Sequence, residues 1–317
     1  MFEFPIHSPV EQITYDVPDG YSLFIKRDDL IDPLISGNKW RKLKFTLQEA
    51  HKQGKTTLVS FGGAYSNHLL ALASAAAKFQ LKSIAFVRGD EEQTENTMMI
   101  ISRMMGMQFI RVSRDEYRDK PALFKKYFEK DDTAFFVDEG GMSAEGSLGC
   151  EEIIDELTDT YTDIFLAAGT GCTTAGIINV INKKQLHTHV HSVVVHRGVD
   201  EVTDNVNRLS YFVSRNSSLE ILPVNIPIAI GNQSPVTIHQ SPMRYAQHSP
   251  ELLQFCITFQ QNTGIMLDPI YTGKAMMKCY EWMKGNPDGS GKILFIHTGG
   301  LLGNLGKLDA FLPYLPR

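Results

Sequence analysis

Short apolar runs of strand length alternate with amphipathic stretches of helical length along most of this 317-residue chain. In the first series, apolar runs at 57–61, 83–89 and 108–112 are separated by helical patterns at 64–79 and around 94–106. A helix between two strands returns the chain to the same end of the sheet, which makes the strands parallel. We therefore expect an α/β protein with mostly parallel sheets and helices on both faces.

A second series of the same kind begins at 162–171 and continues through a helical pattern at 173–184 and an apolar run at 191–198. It ends at 292–300. No block recurs at a period of 20–50 residues, which argues against a solenoid. The segment from about 200 to 250 has weaker periodicity and indicates only partial helix and loop.

Charge and hydropathy exclude several classes of function. Lysine and arginine total 31 against 36 aspartates and glutamates, so the net charge of −5 offers no basic surface to a nucleic acid. No apolar run reaches the roughly 18–20 residues of a membrane-spanning helix, and the first residues lack the pattern of a signal peptide. The four cysteines form no C-x-x-C pair, which argues against structural zinc. We expect a cytoplasmic protein that binds neither nucleic acid nor membrane.

One turn places a lysine at the start of a predicted helix. Ser36, Gly37 and Asn38 offer turn and capping chemistry before an amphipathic run that extends to residue 54. Lys39 then lies in the first turn, where the positive end of the helix dipole favours a neutral amine able to form an imine with an aldehyde. On position alone, a solvated basic face shared with neighbouring cations also explains Lys39.

A turn rich in glycine and threonine at 167–176 follows one apolar run and precedes a helical pattern. Backbone N–H groups at such a corner bind phosphate, and the hydroxyls of Thr170, Thr173 and Thr174 would add donors. The turn lacks the lysine of a Walker A loop and does not match the dinucleotide fingerprint. It favours a compact phosphate monoester, and the alternative is a turn that needs glycine for its backbone alone.

Two further corners between strand and helix carry polar side chains. One places Ser66 and Asn67 at a helix N-terminus, where N–H groups attract a carboxylate, although capping alone would explain Ser66. The other places Tyr271 and Thr272 at a predicted strand end that faces any cleft. A capping threonine and an interface tyrosine are the alternative for that pair.

Three histidines, His187, His189 and His191, alternate and would share one face of a strand. Such a face could gather a metal ion, but no carboxylate lies nearby in the sequence. A solvated strand edge explains the three side chains, so we expect no metal site.

The order of the motifs along the chain is more informative than any one of them. G-N-K at 37–39 is followed by G-G-x-x-S-N, G-T-G-C-T-T, D-P-I-Y-T-G-K and finally H-T-G-G at 297–300. As an ordered set, the motifs resemble the fold-type II enzymes that use pyridoxal 5′-phosphate (PLP), and among them the family of 1-aminocyclopropane-1-carboxylate deaminase and D-cysteine desulfhydrase. The resemblance implies that PLP lies in a cleft between a large domain, at 1–48 and 161–317, and a small domain at 49–160.

The resemblance also implies roles for individual residues. Lys39 would hold PLP as an imine and then move the protons of the substrate, while Ser66 would face the substrate carboxylate or α-carbon. Tyr271 would line the substrate side, and Tyr245, at the spacing of a second family tyrosine, would join it. The phosphate would lie in the loop formed by Gly169, Thr170, Gly171, Cys172, Thr173 and Thr174. The other residues expected near cofactor or substrate are Asn38, Asn67 at the 3′-oxygen of the ring, Tyr65, His68, Thr272 and Thr298.

Thr272 bears on the type of reaction, because the resemblance places it beside the pyridine nitrogen. A hydroxyl does not hold that nitrogen protonated, whereas the glutamate of the cyclopropane deaminase does. A neutral pyridine favours loss of a proton coupled to loss of a β-substituent. We therefore expect α,β-elimination from a small amino acid, with D-cysteine, which would give pyruvate, sulfide and ammonia, as the first candidate. Thr298 is an alternative partner for the nitrogen.

Two departures from the family pattern leave other functions open. Tyr65 stands where these enzymes usually carry glutamine, and LLALA at 69–73 replaces a threonine-arginine-glutamine run. A bulky Tyr65 would reshape the substrate pocket. The alternatives are deamination of 1-aminocyclopropane-1-carboxylate and a non-catalytic homologue that binds PLP. In either case the resemblance implies a homodimer.

Overall fold

The structure is a computed structural model that describes residues 2, 5–89, 95–196, 198–210, 236–241 and 246–315. These residues form ten strands: β1 (Val10–Ile13), β2 (Tyr21–Lys26), β3 (Thr57–Gly62), β4 (Lys82–Arg88), β5 (Gln108–Val112), β6 (Ala134–Phe136), β7 (Asp163–Ala168), β8 (His189–Val194), β9 (Val236–Gln240) and β10 (Gly291–Ile296). They form ten α-helices: α1 (Asn38–Lys52), α2 (Asn67–Lys78), α3 (Thr97–Met104), α4 (Lys120–Phe128), α5 (Ala144–Asp155), α6 (Cys172–Lys184), α7 (Val199–Leu209), α8 (Pro250–Thr263), α9 (Thr272–Gly285) and α10 (Leu308–Phe311). None of the helices in these ranges combines the length and the apolar character needed to cross a membrane.

The strands form two sheets. The larger sheet has the order β1-β2-β10-β7-β8-β9, and only the β1–β2 pair is antiparallel. The smaller sheet has the order β5-β4-β3-β6, and all of its pairs are parallel. The predicted α/β class with mostly parallel sheets is confirmed.

Alternating side chains build a core on each face of the larger sheet. In β2, Leu23 and Ile25 join the cluster that contains residues of α8 and α9, whereas Phe24 packs against the cluster that contains residues of α5 and α6. In the smaller sheet, Leu58 faces α1, α2 and α3, and Val59 faces the opposite cluster with α4. Helices therefore cover both faces of each sheet, as expected from strands that are apolar on both sides.

The differences from the sequence prediction lie mainly outside the two βα series. Strands β1 and β2 had no assignment, and the weakly periodic segment from 200 to 250 contains both α7 and β9. The predicted boundary between residues 48 and 49 falls inside α1. Helix α1 packs on the smaller sheet and also against α5. These two contacts, rather than the sequence pattern of α1, determine where the helix lies in the fold.

A buried cluster of charges fixes the orientation of α1. The side chain of Arg41 is fully buried and donates to the Asp28 carboxylate, with an N–O distance of 2.9 Å, and to both oxygens of Glu156 at the end of α5. Lys26, at the end of β2, donates to the same Glu156 at 2.7 Å. The cluster therefore joins the larger sheet to α1 and α5. Its central residue, Arg41, is two residues after Lys39 on the same helix.

We predict that Arg41→Met lowers the free energy of unfolding by about 3–5 kcal/mol, because it leaves the buried Asp28 carboxylate without its cation. Arg103→Met is the matched control, since Arg103 is 62% exposed and its ion pair with Glu95 lies on the surface. The control should cost less than about 1 kcal/mol. Denaturant unfolding of both variants measures the difference, and equal losses would contradict the role given to the cluster.

Candidate active site

A cavity of about 470 Å³ lies where the carboxyl ends of strands from both sheets meet the N-termini of α1, α2 and α6. This edge is where open α/β sheets bind their ligands. Most of the side chains predicted for cofactor or substrate line it: Asn38, Lys39, Ser66, Asn67, His68, Gly169, Thr170, Gly171, Thr173, Thr174, Tyr271 and Thr298.

Lys39 reaches the cavity from the first turn of α1. Gly37 precedes that turn with φ +63°, and a Cβ there would lie 2.0 Å from the carbonyl oxygen of Thr298, so only glycine fits. Lys39 Nζ donates to Asn38 Oδ1 at 2.8 Å, and Asn38 Nδ2 donates to Thr173 Oγ1 at 2.9 Å. The lysine is thereby held next to the start of α6.

The Lys39 amine has little tendency to carry a charge in this site. Burial, followed by the like charge of Lys42, lowers the pKa of Lys39 from 10.5 to about 7. Lys42 also lines the cavity, and its Nζ donates to the Gly140 carbonyl at 3.3 Å. The direction agrees with the expected neutral amine, but the causes are desolvation and a neighbouring cation.

The corner between β7 and α6 is built to receive an anion. Helix α6 begins after Gly171 without a side-chain cap, and the buried Thr170 Oγ1 has no hydrogen-bond partner among the described residues. Gly171 has φ +86°, and a Cβ there would lie 2.8 Å from Val206 Cγ2 and 2.9 Å from the Val202 carbonyl oxygen. Free N–H groups and an unpartnered hydroxyl are the donors that a phosphate requires.

Two members of the predicted phosphate loop turn their side chains elsewhere. Cys172 is fully buried, and its Sγ lies 3.7 Å from the Gly141 carbonyl oxygen instead of lining the cavity. The Thr174 hydroxyl is 2.8 Å from Ser192 Oγ, although Thr174 does line the cavity. The first turn of α6 therefore presents mainly its backbone to a ligand.

The start of α2 forms a second corner of the cavity. Ser66 Oγ accepts the Leu69 N–H at 3.4 Å, which leaves its own proton free to be donated. The Asn67 amide lies against Gly300, where a Cβ would be 2.5 Å from Asn67 Nδ2. His68 is buried, with Nε2 2.8 Å from Ser60 Oγ, and burial together with Lys39 and Lys42 lowers the pKa of His68 to about 3. His68 is therefore neutral.

Besides Cys172, two predicted residues of the described ranges do not line the cavity. Thr272 lies at the start of α9, where its Oγ1 donates to Asp268 Oδ2 at 2.7 Å and accepts the Asp268 N–H at 2.9 Å. The Tyr65 ring points toward the segment after β10, with Lys307 Nζ 5.1 Å from its centroid, and neither Tyr65 nor Thr272 lines the cavity. Tyr245 lies outside the described residues.

Comparison with known proteins accounts for this arrangement. The family model described as "Pyridoxal-phosphate dependent enzyme" matches residues 9–299. The chain belongs to this family. Its cofactor is PLP, and the site fits it, because the amine of Lys39 and the unpartnered donors of the β7–α6 corner open into one cavity.

Similar members of the family carry two related names. The chain is 31% identical to a putative 1-aminocyclopropane-1-carboxylate deaminase of Thermotoga maritima over 90% of both chains. It is 31% identical to the mitochondrial bifunctional D-cysteine desulfhydrase/1-aminocyclopropane-1-carboxylate deaminase of Arabidopsis thaliana over 92% of this chain and 76% of the other. It is 27% identical to the D-cysteine desulfhydrase of Serratia proteamaculans, over 89% and 87% respectively.

Solved structures support the same fold. The crystal structure of an ACC deaminase homologue superposes with a TM-score of 0.79 at 25% identity and covers 98% of this chain and 94% of its own. A fungal L-serine ammonia-lyase from Rhizomucor miehei superposes with a TM-score of 0.68 at 16% identity, over 97% and 98% of the two chains, which supports the fold alone.

The cavity also contains side chains that the sequence analysis missed. His196 Nδ1 accepts the Gly198 N–H at 2.9 Å, so its Nε2 carries the proton and donates to the Gly169 carbonyl at 2.9 Å. Arg88 and Tyr117 line the cavity as well. His196 and Arg88 follow parallel strands, a position that marks ligand contacts in α/β folds. Nothing in the local sequence marks Tyr117.

The three alternating histidines have a structural explanation different from the expected solvated edge. Strand β9 pairs with β8, so β8 is not an edge strand of the sheet. The buried His191 lies between two partners, with Nε2 2.9 Å from Asp163 Oδ1 and Nδ1 2.9 Å from His239 Nε2. Its ring stacks on Phe165 with a centroid distance of 4.1 Å. Asp163 was missed because it is distant in sequence. Within the described ranges, no group of three or more potential ligands is arranged to hold a metal ion.

We predict that the rate at which the apoprotein takes up PLP rises with pH with a midpoint near 7, because the neutral Lys39 amine is the nucleophile. Lys42→Met removes a like charge, so its midpoint should move to higher pH. Lys44→Met is the control, since Lys44 pairs with Glu152 and does not line the cavity. Absorbance of the imine measures uptake, and identical midpoints in all three proteins would refute this assignment.

We also predict that Gly171→Ala weakens PLP binding at least tenfold, because the added methyl group displaces the start of α6. Gly264→Ala is matched to it, since Gly264 has φ +74° but no atom within 4 Å of the added Cβ. The control should lose roughly 1–2 kcal/mol of stability and retain PLP affinity. Equal PLP affinities in the two variants, measured by fluorescence titration, would show that the corner does not hold the phosphate.

Proposed function

We propose that the chain catalyses PLP-dependent α,β-elimination from a small amino acid, with D-cysteine as the first candidate. The observation that carries the proposal is the buried Lys39 amine, whose pKa of about 7 allows it to exchange a proton near neutral pH. When bound, PLP supplies an electron sink for charge that develops at the substrate α-carbon. The remaining steps belong to residues of this chain.

Lys39 is the proposed base for the α-proton. Its Nζ donates to Asn38 Oδ1, which leaves the nitrogen lone pair available and fixes the direction in which it points. Asn38 is itself held by Thr173, so the amine stays close to the phosphate corner while it accepts or returns a proton. A fixed base of matched pKa typically contributes 10²–10⁴-fold to the rate.

The start of α2 is the proposed site of the substrate carboxylate. Its free N–H groups and the Ser66 hydroxyl are donors, and the positive end of the helix dipole favours an anion there. Tyr271 lines the same cavity and is proposed for the substrate side, as the resemblance implied, while Asn67 is kept for the 3′-oxygen of the ring. Holding the carboxylate at α2 orients the α-carbon toward Lys39.

Thr298 replaces Thr272 as the proposed partner of the pyridine nitrogen. Thr298 lines the cavity, whereas the Thr272 hydroxyl is satisfied by Asp268. The partner remains a hydroxyl, so the argument for a neutral pyridine and for elimination is unchanged. The balanced reaction for D-cysteine consumes one water and gives pyruvate, ammonia and sulfide.

Deamination of 1-aminocyclopropane-1-carboxylate is the second candidate, because two of the relatives described above carry that name. A non-catalytic homologue has less support, since Tyr65, one of the two departures that suggested it beside the altered run at 69–73, does not line the cavity. The homodimer and the cytoplasmic location stay predictions that accompany the proposal.

We predict that the holoenzyme releases pyruvate and sulfide from D-cysteine and that Lys39→Ala removes both the imine absorbance and the turnover. Lys44→Ala, a change in the same helix outside the cavity, should keep both. Assays of pyruvate, sulfide and 2-oxobutyrate in parallel separate the two candidates. Turnover retained by Lys39→Ala would refute the proposal, and 2-oxobutyrate from the cyclopropane substrate alone would favour the second candidate.

A further inference from the structure

Positive charge is concentrated at the mouth of the cavity. Arg88 ends β4, and its Nη2 lies 3.9 Å from the position of a Cβ on Gly63, beside the corner that starts α2. The Arg88 guanidinium also lies over the Tyr117 ring, 5.8 Å from the centroid. Arg88 is thus directed at the substrate side of the cavity.

A second pocket, of about 420 Å³, adjoins the cavity at Arg88. Arg88, Arg114, Tyr117 and Arg118 line it, and three of these residues also line the main cavity. We call these four residues the arginine pocket. Three guanidinium groups around one phenol form a recognition surface for a sulfonate, phosphate or carboxylate group, because their planar forks donate two hydrogen bonds at a time.

Part of this charge has no strong counter-ion among the residues that the structure describes. Arg118 lies 3.5 Å from Asp115, but both side chains are more than 80% exposed, so water weakens the pair. Neither Arg88 nor Arg114 pairs with a carboxylate among the residues that the structure describes. Unpaired guanidiniums that line a cavity favour an anionic ligand.

Tyr117 forms the aromatic wall between the cavity and the arginine pocket. Its side chain is 95% buried, and its hydroxyl is inaccessible and interacts with the Glu139 carboxylate. Burial and the negative charge of Glu139 raise the pKa of the phenol, so the hydroxyl keeps its proton and remains a donor.

The proposed function leaves this pocket without a ligand. The phosphate of PLP is proposed to bind at the β7–α6 corner and the substrate carboxylate at the start of α2, so neither of these anions would occupy the arginine pocket. We propose that the arginine pocket binds a negatively charged β-substituent of the amino-acid substrate. The inference rests on the proposed function and narrows its substrate class to amino acids with a negatively charged β-substituent. D-Cysteine, as the thiolate, is the smallest member of this class. A β-sulfonate or a β-phosphate ester fits the pocket better.

The charge of the pocket also suits the chemistry of elimination. Lys39 takes the α-proton, the bond between the β-carbon and the substituent breaks, and its electron pair leaves with the substituent. For 3-sulfoalanine the balance is one water consumed and pyruvate, ammonium and hydrogen sulfite formed. Negative charge on the departing group grows as the bond breaks, so guanidiniums already in place stabilise the transition state more than the substrate.

The test compares ligands that differ in the charge of one group. Calorimetry on the holoenzyme measures the binding of 3-sulfopropanoate and butanoate, neither of which has an amino group that could react. We expect 3-sulfopropanoate to bind at least about tenfold more tightly, the worth of one hydrogen bond between charged groups. Arg88→Gln should abolish the difference, and Arg103→Gln, a surface arginine outside both pockets, should keep it.

Turnover of 3-sulfoalanine and 3-chloroalanine, both enantiomers of each, separates this inference from the proposed function. Arg88→Gln should lower the ratio of kcat/KM for the sulfonate to that for the chloride at least tenfold. Elimination from 3-chloroalanine without any binding preference for the sulfonate would overturn the inference and leave the proposed function standing. A binding preference that persists in Arg88→Gln would also overturn it. A third outcome is that Arg88→Gln loses the binding preference for 3-sulfopropanoate while neither 3-sulfoalanine nor 3-chloroalanine is eliminated by the unmodified enzyme. That outcome would support the anion pocket and refute the proposed reaction.

Discussion

The position of helix α1 depends on the fully buried guanidinium of Arg41. Its ion pairs reach Asp28, which follows the second strand of the larger sheet, and Glu156, which follows α5. A buried ion pair adds little net stability compared with apolar packing, but leaving one partner unpaired is costly, which favours the position of α1 that keeps Arg41 on both carboxylates. Because Lys39 lies two residues earlier on the same helix, the cluster that orients α1 also determines where the reactive amine is placed in the cavity.

The helix termini around the cavity determine its electrostatics. The N-termini of α1, α2 and α6 all point into it with the positive ends of their dipoles, and the first turns of α2 and α6 also leave backbone N–H groups without a partner among the described residues. Two of these ends can receive anions, the phosphate at α6 and a carboxylate at α2. At the third, Lys39 lies buried beside Lys42, which keeps its pKa near 7 and its amine available for proton transfer. Desolvation and a neighbouring cation, rather than the dipole of α1, thus keep the lysine from becoming a permanent cation.

The names of the relatives span two reactions, and the side chains at the cavity bear on the choice. Thr298 lines the cavity, and as the proposed partner of the pyridine nitrogen its hydroxyl would suit elimination better than opening of a cyclopropane ring. In the proposed anion pocket, Arg88 would add donors that the side chain of cysteine could use only as its thiolate. Substrate choice in this chain is therefore a question about the groups beyond the α-carbon, while the α-carbon chemistry itself rests on Lys39.

Local sequence was enough to predict the α/β class, Lys39 at the start of a helix and the turn at Gly171 between a strand and a helix, because each follows from residues that lie side by side in the chain. It did not predict where Thr272 and Tyr65 point, since Asp268 and the segment near Lys307 draw these side chains away from the cavity. It also missed Arg88, Tyr117 and the partners of His191, which meet only when strands distant in sequence pair. The sequence by itself determined which elements form and which backbone corners can bind anions, because those depend on neighbouring residues. Only the tertiary structure decided which side chains share the cavity, because packing between the sheets sets their directions.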